Sequence, residues 1–213
     1  MTNTVDERGW PLPPLPWLYG DRMFEALSAA AQIHATQVRK DTTIPYLSHL
    51  LGTSSIALEY GADEVEAIAA LLHDAIEDGE PTAAARATVW SFGPDVGRIV
   101  EGCTDADTHP KPPWRRRKEK YLASLTTRDR STQLVSASEK LHDAHSIVGD
   151  LRGIGDRVWE RFSASKQETL WYYRSLVTAY RANPAHTQAL VDELDRMVTE
   201  METLAVLADG ASG

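Results

Sequence analysis

The chain has 213 residues, with 31 acidic and 22 basic side chains and a formal net charge of −9 when histidine is counted as neutral. Hydrophobic residues make up 42% and charged residues 25%, which is typical of globular proteins and excludes most disordered classes. The acidic excess argues against a protein whose whole surface binds nucleic acid or an anionic membrane. We therefore expect neither a nucleic-acid partner nor a membrane partner.

The cellular location is predicted from three further features. The single cysteine, Cys103, cannot form an internal disulfide, so nothing indicates a secreted scaffold. No apolar run approaches the roughly 20 residues that span a bilayer, and the first residues lack the basic start and apolar middle of a signal peptide. These features predict a cytoplasmic protein, and they leave open whether it forms a homo-oligomer.

Helical patterns follow one another along almost the whole chain. Residues 1–20 are polar and then rich in proline, which predicts a non-helical N-terminal arm. After the arm, apolar residues recur at spacings of three and four, the period of an amphipathic helix. The predicted helices cover about residues 23–34, 46–60, 63–79, 82–91, 94–103, 114–126, 131–148, 156–181 and 185–207.

Convincing strands are absent from the pattern. The β-branched run 132–135 is short and lies inside a helix-compatible segment. The sequence therefore predicts an all-α fold, with one helical domain over residues 21–207 and a C-terminal tail over 208–213. An irregular loop is expected around residues 105–113.

The most informative segment is His73-Asp74-Ala75-Ile76-Glu77-Asp78. On a helix that turns about 100° per residue, His73 and Glu77 share one face, with Asp74 and Asp78 on its flank. The ionised carboxylates repel one another, and a divalent cation would relieve that repulsion. An imidazole with carboxylates suits Mn²⁺, Fe²⁺, Zn²⁺ or Mg²⁺. The alternative is an acidic, solvated helix end, which is the better interpretation of a His-Asp pair by itself.

Residues elsewhere in the chain favour the metal site over that alternative. His49 lies upstream after Pro45-Tyr46, and Asp143 lies downstream after Lys140. Each would lie on its own helix, so that three helices could converge on one ion. His142 and His145 are further candidates, which we expect beside the site or on the surface.

Taken together, the motifs resemble those of HD-domain metal phosphohydrolases. The resemblance is specifically to the hydrolase domain of RelA/SpoT-type alarmone enzymes and their small single-domain relatives, and it runs from about residue 23 to residue 148. The matching segments are His34-xx-Gln37-x-Arg39-Lys40, Pro45-Tyr46-xx-His49, Ala69-Ala70-Leu71-Leu72-His73-Asp74-xx-Glu77-Asp78, Phe92-Gly93-xx-Val96, Gly102-Cys103-Thr104-Asp105 and Lys140-Leu141-x-Asp143.

The resemblance implies a specific reaction and a specific ligand set. It implies an all-α HD-domain bundle and one metal ion, usually Mn²⁺, which His49, His73, Asp74 and Asp143 would hold. It also implies that the substrate is a small nucleotide, a guanosine alarmone of the (p)ppGpp type. The implied reaction is hydrolysis of its 3′-diphosphate, with release of pyrophosphate.

The expected catalytic groups follow from the chemistry of a metal-bound water. A divalent ion lowers the pKa of that water and polarises a phosphoryl oxygen. Glu77, one turn from His73, is our candidate general acid or base, and Asp78 could hold the water or assist. The division of roles between the two carboxylates stays open.

The resemblance also places residues around the substrate. It puts Arg39 and Lys40 at the nucleotide, where a guanidinium can stack on a purine and an ammonium can serve as a point charge. Lys140 would meet the phosphates or a supporting carboxylate. Thr104 and Asp105 either brace the metal site or form a helix-ending turn.

Two features depart from the family pattern or remain unassigned. Family members usually carry an asparagine four residues after the metal-binding aspartate, where it contacts the nucleotide sugar, and here that position is Ile147. The segment 111–120 contains six basic residues and one acidic residue, and it is either a solvated helix face or an electrostatic gate for a polyphosphate.

Two alternative functions therefore stay open. The first is an HD-domain nucleotide phosphatase that acts on another ester, such as a nucleoside monophosphate or a dinucleotide 2′-phosphate, and Ile147 motivates it. The second is a non-catalytic nucleotide-sensing module. The presence of both Glu77 and Asp78 argues against the sensing module.

Overall fold

The computed structural model describes residues 20–79, 81–108 and 110–211, with side chains described as far as residue 207. The predicted proline-rich arm over residues 1–20 lies outside these ranges except for Gly20. The α-helices are α1 Asp21–Ile33, α2 Leu47–Glu59, α3 Glu64–Leu72, α4 Ala75–Asp78, α5 Thr82–Ser91, α6 Pro94–Cys103, α7 Trp114–Leu125, α8 Arg130–Ile154, α9 Lys166–Ala182 and α10 Gln188–Ala211.

The predicted all-α fold is confirmed. Within the described ranges the only β pairing is an isolated bridge between Val38 and Pro45. Helices α5 and α6 have the predicted bounds, and the β-branched run 132–135 lies inside α8 as expected. In the part of the chain that the structure describes, no helix is both long and apolar enough to cross a bilayer.

The predicted continuous helix over residues 63–79 was wrong, because it is divided at the His-Asp pair. Helix α3 ends at Leu72 and α4 begins at Ala75. The backbone at Asp74 has φ −94° and ψ −2°, away from regular helical values. His73 and Asp74 therefore form a link between two helices, and the surroundings of Glu77 differ from those of His73.

The predicted helix over residues 156–181 is also divided. Gly155 ends α8 with a φ of 58°, which a glycine adopts without steric cost. A 3-10 helix over Gly155–Arg161 follows. Helix α9 then begins with a reciprocal capping box, in which the Ser165 side chain accepts from the Glu168 backbone and the Glu168 side chain accepts from the Ser165 backbone.

Helix α8 is the centre of the molecule and positions the site. It packs against α2, α3, α6 and α10, and nearly every residue of its first half is buried. A helix that is buried on all sides belongs to the core. Its buried polar residues Glu139 and Lys140 line the same cavity as His49 of α2 and Asp74 of the α3–α4 link.

Candidate functional site

Three potential metal ligands meet where α2 packs against the α3–α4 link. The Nε2 atoms of His49 and His73 lie 3.1 Å apart. The Asp74 Oδ2 atom lies 3.0 Å from the His73 Nε2 atom and 3.5 Å from the His49 Nε2 atom. Both imidazoles are buried. Three of the four predicted ligands thus converge on one point.

The hydrogen bonding of His73 prepares it to bind a cation. Its Nδ1 atom lies 2.8 Å from the backbone oxygen of Ala70. A carbonyl oxygen only accepts, so Nδ1 carries the hydrogen and the neutral ring presents the Nε2 lone pair to His49 and Asp74. Nitrogen lone pairs and a carboxylate that face one another are stabilised by a proton or a metal cation between them, and this mixed donor set fits Mn²⁺, Fe²⁺ or Zn²⁺.

The pKa values of His73 and Asp74 also indicate that a positive charge between these residues is favourable. Burial by itself would lower the pKa of His73, but the neighbouring Asp74 carboxylate outweighs burial and raises that pKa to about 9. Burial would raise the pKa of Asp74, whereas His73 and His49 keep it well below its usual value. Without an ion, a proton on the imidazole supplies the positive charge that a metal would supply.

Asp143, the fourth predicted ligand, lies on the other side of His49. Its Oδ1 atom is 3.5 Å from the His49 Nδ1 atom, whereas His73 and Asp74 face Nε2. The same oxygen accepts a hydrogen bond from Arg39 Nη2 at 2.8 Å. Burial would raise the pKa of Asp143, but His49 and Arg39 lower it to about 2. The four predicted ligands are therefore not gathered around a single point.

Glu139 is a second carboxylate of α8 at the site, and none of the sequence motifs predicted it. It is buried and lines the same cavity of about 180 Å³ as His49, Asp74 and Glu77. Its charge contributes to the raised pKa of His73, and its carboxylate pairs with Lys140. The available signal was its position four residues before Asp143, which places both acids on one helix face.

Glu77 and Asp78 lie on α4 in the wall of this cavity. The Lys111 Nζ atom is 2.8 Å from Glu77 Oε1 and 3.3 Å from Asp78 Oδ1. Gln37 donates a hydrogen bond to Asp78 Oδ2 at 3.1 Å. The two predicted catalytic carboxylates are thus brought together, and they are held by Gln37 and Lys111, whose contacts the sequence motifs did not predict.

The protonation of Glu77 suits acid–base chemistry near neutrality. Burial raises its pKa to about 7, with further contributions from the charges of Asp105 and Asp74, while Lys111 acts in the opposite direction. A group whose pKa lies near the operating pH can both take up and release a proton. The folded protein therefore binds a proton at Glu77 that the unfolded chain would release at a lower pH.

The basic segment 111–120 is only partly a solvated face. Arg117 and Lys118 donate to the two carboxylate oxygens of Asp105 at 2.5 Å and 2.6 Å, and the Asp105 side chain is 4% exposed. Lys118 also lines the 180 Å³ cavity. Arg115, by contrast, lies over the ring of Trp171. The segment thus contributes cations to the site from one side of α7.

Asp105 and Thr104 differ in what they contact. The Asp105 backbone nitrogen lies 3.5 Å from Glu77 Oε2, and Asp105 raises the pKa of Glu77. The Thr104 hydroxyl donates to the carbonyl of Val100 at 3.0 Å, in the last turn of α6. Asp105 therefore acts on a candidate catalytic group, while Thr104 makes the contact expected of a helix-ending turn.

A larger pocket of about 520 Å³ adjoins the cavity and shares Tyr46 and Asp143 with it. Among the residues predicted to contact substrate, Arg39 and Lys40 line this pocket, whereas Lys140 lines the smaller cavity. Ile147 is buried in the pocket wall. The other lining residues are Thr42, Ile44, Ser48, His142, Ser146, Gly149, Asp150, Arg161, Phe162 and Tyr173.

Tyr46 lies at the boundary between the two spaces. Its hydroxyl donates to Asp74 Oδ2 at 2.5 Å, and its ring stacks on His34. Burial and the charge of Asp74 raise the pKa of Tyr46, so the hydroxyl keeps its proton and remains a donor. Tyr46 belongs to the motif Pro45-Tyr46-xx-His49, which by itself predicts no role for its hydroxyl.

The comparisons with known proteins agree with this architecture. The family model described as "HD domain" matches residues 26–170. A Danio rerio protein named guanosine-3′,5′-bis(diphosphate) 3′-pyrophosphohydrolase MESH1 is 33% identical over 128 residues, which cover 59% of this chain and 68% of the relative. The Homo sapiens protein of the same name is 33% identical over 129 residues, covering 59% of this chain and 69% of the relative.

A longer relative matches only in part. A Mycobacterium leprae protein named "Probable GTP pyrophosphokinase" is 40% identical over 82 residues, which cover 38% of this chain and 10% of that protein. The similarity is therefore limited to about one tenth of that relative's length.

Two solved structures share the fold. One, titled "A metazoan ortholog of SpoT hydrolyzes ppGpp and plays a role in starvation responses", has a TM-score of 0.66 and 24% identity, covering 83% of this chain and 95% of that chain. Another, from Listeria monocytogenes EGD-e, has a TM-score of 0.61 and 27% identity, covering 70% and 96% of the two chains.

The family model spans most of the described domain, and more than two thirds of each MESH1 relative is covered at over 30% identity. An HD domain also implies a divalent metal, with which the His49, His73 and Asp74 donor set agrees. The chain is therefore a hydrolase of the HD-domain family and belongs to its RelA/SpoT-type pyrophosphohydrolase branch.

Proposed function

We propose that this protein removes the 3′-diphosphate from (p)ppGpp, releasing pyrophosphate. The observation that supports this most directly is the convergence of His49, His73 and Asp74 in a cavity whose wall also contains Glu77 and Asp78. The adjoining pocket of about 520 Å³ lies within the roughly 300–1,000 Å³ typical of ligand sites. One space thus suits the reacting phosphates and the other suits the nucleoside.

The charges around the two spaces support an anionic substrate. Arg39 and Lys40 line the larger pocket, while Lys118 and Lys140 line the smaller cavity. These cations surround an acidic centre, where a bound divalent ion would offset Asp74. We propose that Arg39 and Lys40 orient the nucleotide and that Lys118 and Lys140 face its phosphates.

His49, His73 and Asp74 would hold the divalent ion, for which we propose Mn²⁺. The fourth ligand would be a carboxylate of α8. The candidates are Asp143, as the motif predicts, and Glu139, and both line the cavity. When bound, such an ion lowers the pKa of a coordinated water and polarises a phosphoryl oxygen.

We also propose that the protein is cytoplasmic, because its single cysteine cannot form an internal disulfide.

The two carboxylates of α4, Glu77 and Asp78, would position the attacking water and transfer its proton. In its ionised form Glu77 can accept a proton from the attacking water, and its raised pKa allows it to return that proton near neutral pH. Asp78 is held by Gln37 and Lys111, so its orientation is fixed and it can position the water.

The direct test is a comparison of products over a panel of nucleotides. Purified protein with Mn²⁺ should convert ppGpp to GDP and pyrophosphate in preference to the other esters. Release of orthophosphate from a nucleoside monophosphate or a dinucleotide 2′-phosphate, without attack on ppGpp, would instead favour the second enzyme function that the apolar wall at Ile147 suggests. Tight nucleotide binding without any turnover would support a sensing module.

Replacement of Glu77 is expected to change both the rate and its pH dependence. The Glu77→Gln variant should lose roughly 10²–10⁴-fold in kcat, the usual contribution of a general acid or base. In the unmodified enzyme kcat/KM should rise as the pH increases toward about 7, because Glu77 loses its proton there. A cation bound at Asp74 would offset part of the negative charge that raises the pKa of Glu77. The inflection in the pH–rate profile should therefore lie at or below about pH 7.

The pH–rate profile of the Glu77→Gln variant checks this assignment. Its kcat/KM should lack the inflection while its Mn²⁺ affinity stays close to that of the unmodified protein. A variant that kept both the rate and the inflection would contradict the role of Glu77. Glu119→Gln is a suitable control, because Glu119 is exposed on α7 and pairs with Arg115 in the same helix.

A further inference from the structure

We infer that His142 is a positioning residue that holds the His49 ring in the tautomer whose Nε2 atom faces His73 and Asp74. The inference rests on the metal site of the proposed function. The Nδ1 atoms of His142 and His49 lie 3.0 Å apart, and the two rings meet edge to face with centroids 4.9 Å apart. Between two such nitrogens one must donate and the other accept.

The direction of that hydrogen bond decides whether His49 can bind a metal through Nε2, on the side of His73 and Asp74, and not through Nδ1, on the side of His142 and Asp143. When His49 Nδ1 donates to His142 Nδ1, the Nε2 atom of His49 carries a lone pair 3.1 Å from His73 Nε2. In the opposite direction, a hydrogen on His49 Nε2 would occupy the place of the cation. The other ring atom of a metal-binding histidine normally donates to a fixed partner for this reason.

The two buried imidazoles thus have separate partners for the same purpose. Ala70 accepts from Nδ1 of His73 at 2.8 Å, and His142 is the matching acceptor for His49. Asp143 Oδ1 is a poorer acceptor for His49, because it lies 3.5 Å away and already accepts from Arg39 at 2.8 Å.

The packing of α2 against α8 reserves the space for the His142 ring. Gly52 lies three residues after His49 on α2, and a Cβ atom at that position would lie 2.1 Å from His142 Cδ2 and 2.2 Å from His142 Nε2. Any side chain at position 52 would displace the imidazole. The absence of a side chain at Gly52 therefore allows His142 to reach His49.

The test compares Mn²⁺ affinities of the full chain, stripped of metal, by electron paramagnetic resonance of the free ion. His142→Ala should weaken binding by about 10–100-fold, the usual effect of losing the partner of a ligand. His142→Gln should recover most of the affinity, because its side-chain oxygen accepts a hydrogen bond. His145→Ala is the control, since His145 is an exposed residue of the same helix, and its affinity should be unchanged.

Gly52→Ala provides a second route that keeps the imidazole. It should weaken Mn²⁺ binding as His142→Ala does, although alanine is favoured over glycine within a helix. In Zn²⁺-loaded protein, the ¹⁵N shifts of His49 should show Nδ1 protonated and Nε2 bound to the metal.

Two results would overturn the inference. One is a His142→Ala variant that binds Mn²⁺ as tightly as the unmodified protein, and the other is a His49 ring bound to Zn²⁺ through Nδ1. Neither measurement uses a nucleotide. A protein that failed to hydrolyse ppGpp while showing the expected affinities would contradict the proposed function and support the inference about His142.

Discussion

Asp74→Asn is expected to abolish both Mn²⁺ binding and the release of pyrophosphate. The substitution preserves the size of the side chain but removes the charge that lies 3.0 Å from His73 Nε2 and 3.5 Å from His49 Nε2. Besides two neutral imidazoles, a single carboxylate of α8 would then remain to compensate the charge of a divalent ion. The loss should exceed the roughly 10–100-fold that follows when a residue supporting a ligand is removed.

Metal affinity and product release are measured on the same preparation. Asp95→Asn is a matched control, because its side chain is 71% exposed at the start of α6, and it should retain both properties. An Asp74→Asn protein that bound Mn²⁺ normally and still released pyrophosphate would show that the reaction does not depend on this cluster. The melting temperature of the metal-free variant separates loss of the ion from loss of the fold.

Glu139→Gln is expected to weaken Mn²⁺ binding more than Asp143→Asn does. Glu139 lies in the cavity with His49 and Asp74, and its charge acts on His73. Asp143 also lines that cavity, but it approaches His49 from the Nδ1 side and is engaged by Arg39. We therefore expect the Glu139→Gln variant to lose more than about tenfold in metal affinity.

Asp143→Asn should act mainly on the substrate. It weakens the anchor of Arg39, which lines the larger pocket, so KM for ppGpp should rise while the Mn²⁺ affinity changes little. Titration of Mn²⁺ into both variants, with KM measured in parallel, distinguishes the two roles. Loss of the metal in Asp143→Asn alone would establish Asp143 as the ligand that the motif predicts and would rule out Glu139.

The choice between the two acids also affects the interpretation of Ile147. The family asparagine is expected four residues after the metal-binding carboxylate. Counted from Asp143 that position is Ile147, but counted from Glu139 it is Asp143 itself. Asp143 lies where the cavity and the larger pocket meet. If Glu139 binds the metal, a polar residue does occupy the expected position, and Ile147 is simply part of the pocket wall.

Local patterns accounted for most of the fold. The periods of three and four predicted the helices, and α5 and α6 have the predicted bounds, because each depends on burying one helix face. The break before α9 was also encoded locally, in the capping pair Ser165 and Glu168. The break at His73 and Asp74 was not, because the apolar pattern continues through it to Ile76, which is buried.

The sequence by itself determined the all-α class and named several residues that meet at the site, among them His49, His73 and Asp74, but it did not single out Glu139 or assign a partner to Lys111. Only the tertiary structure decided which atoms face one another. Lys111 reaches Glu77 and Asp78 from 34 and 33 residues away, and Arg39 reaches Asp143 from 104 residues away. Helical periodicity specifies a face of one helix, whereas the partner of a buried charge depends on how distant helices pack. The orientation of the His49 ring between His73 and His142 could therefore not be predicted from the local sequence pattern.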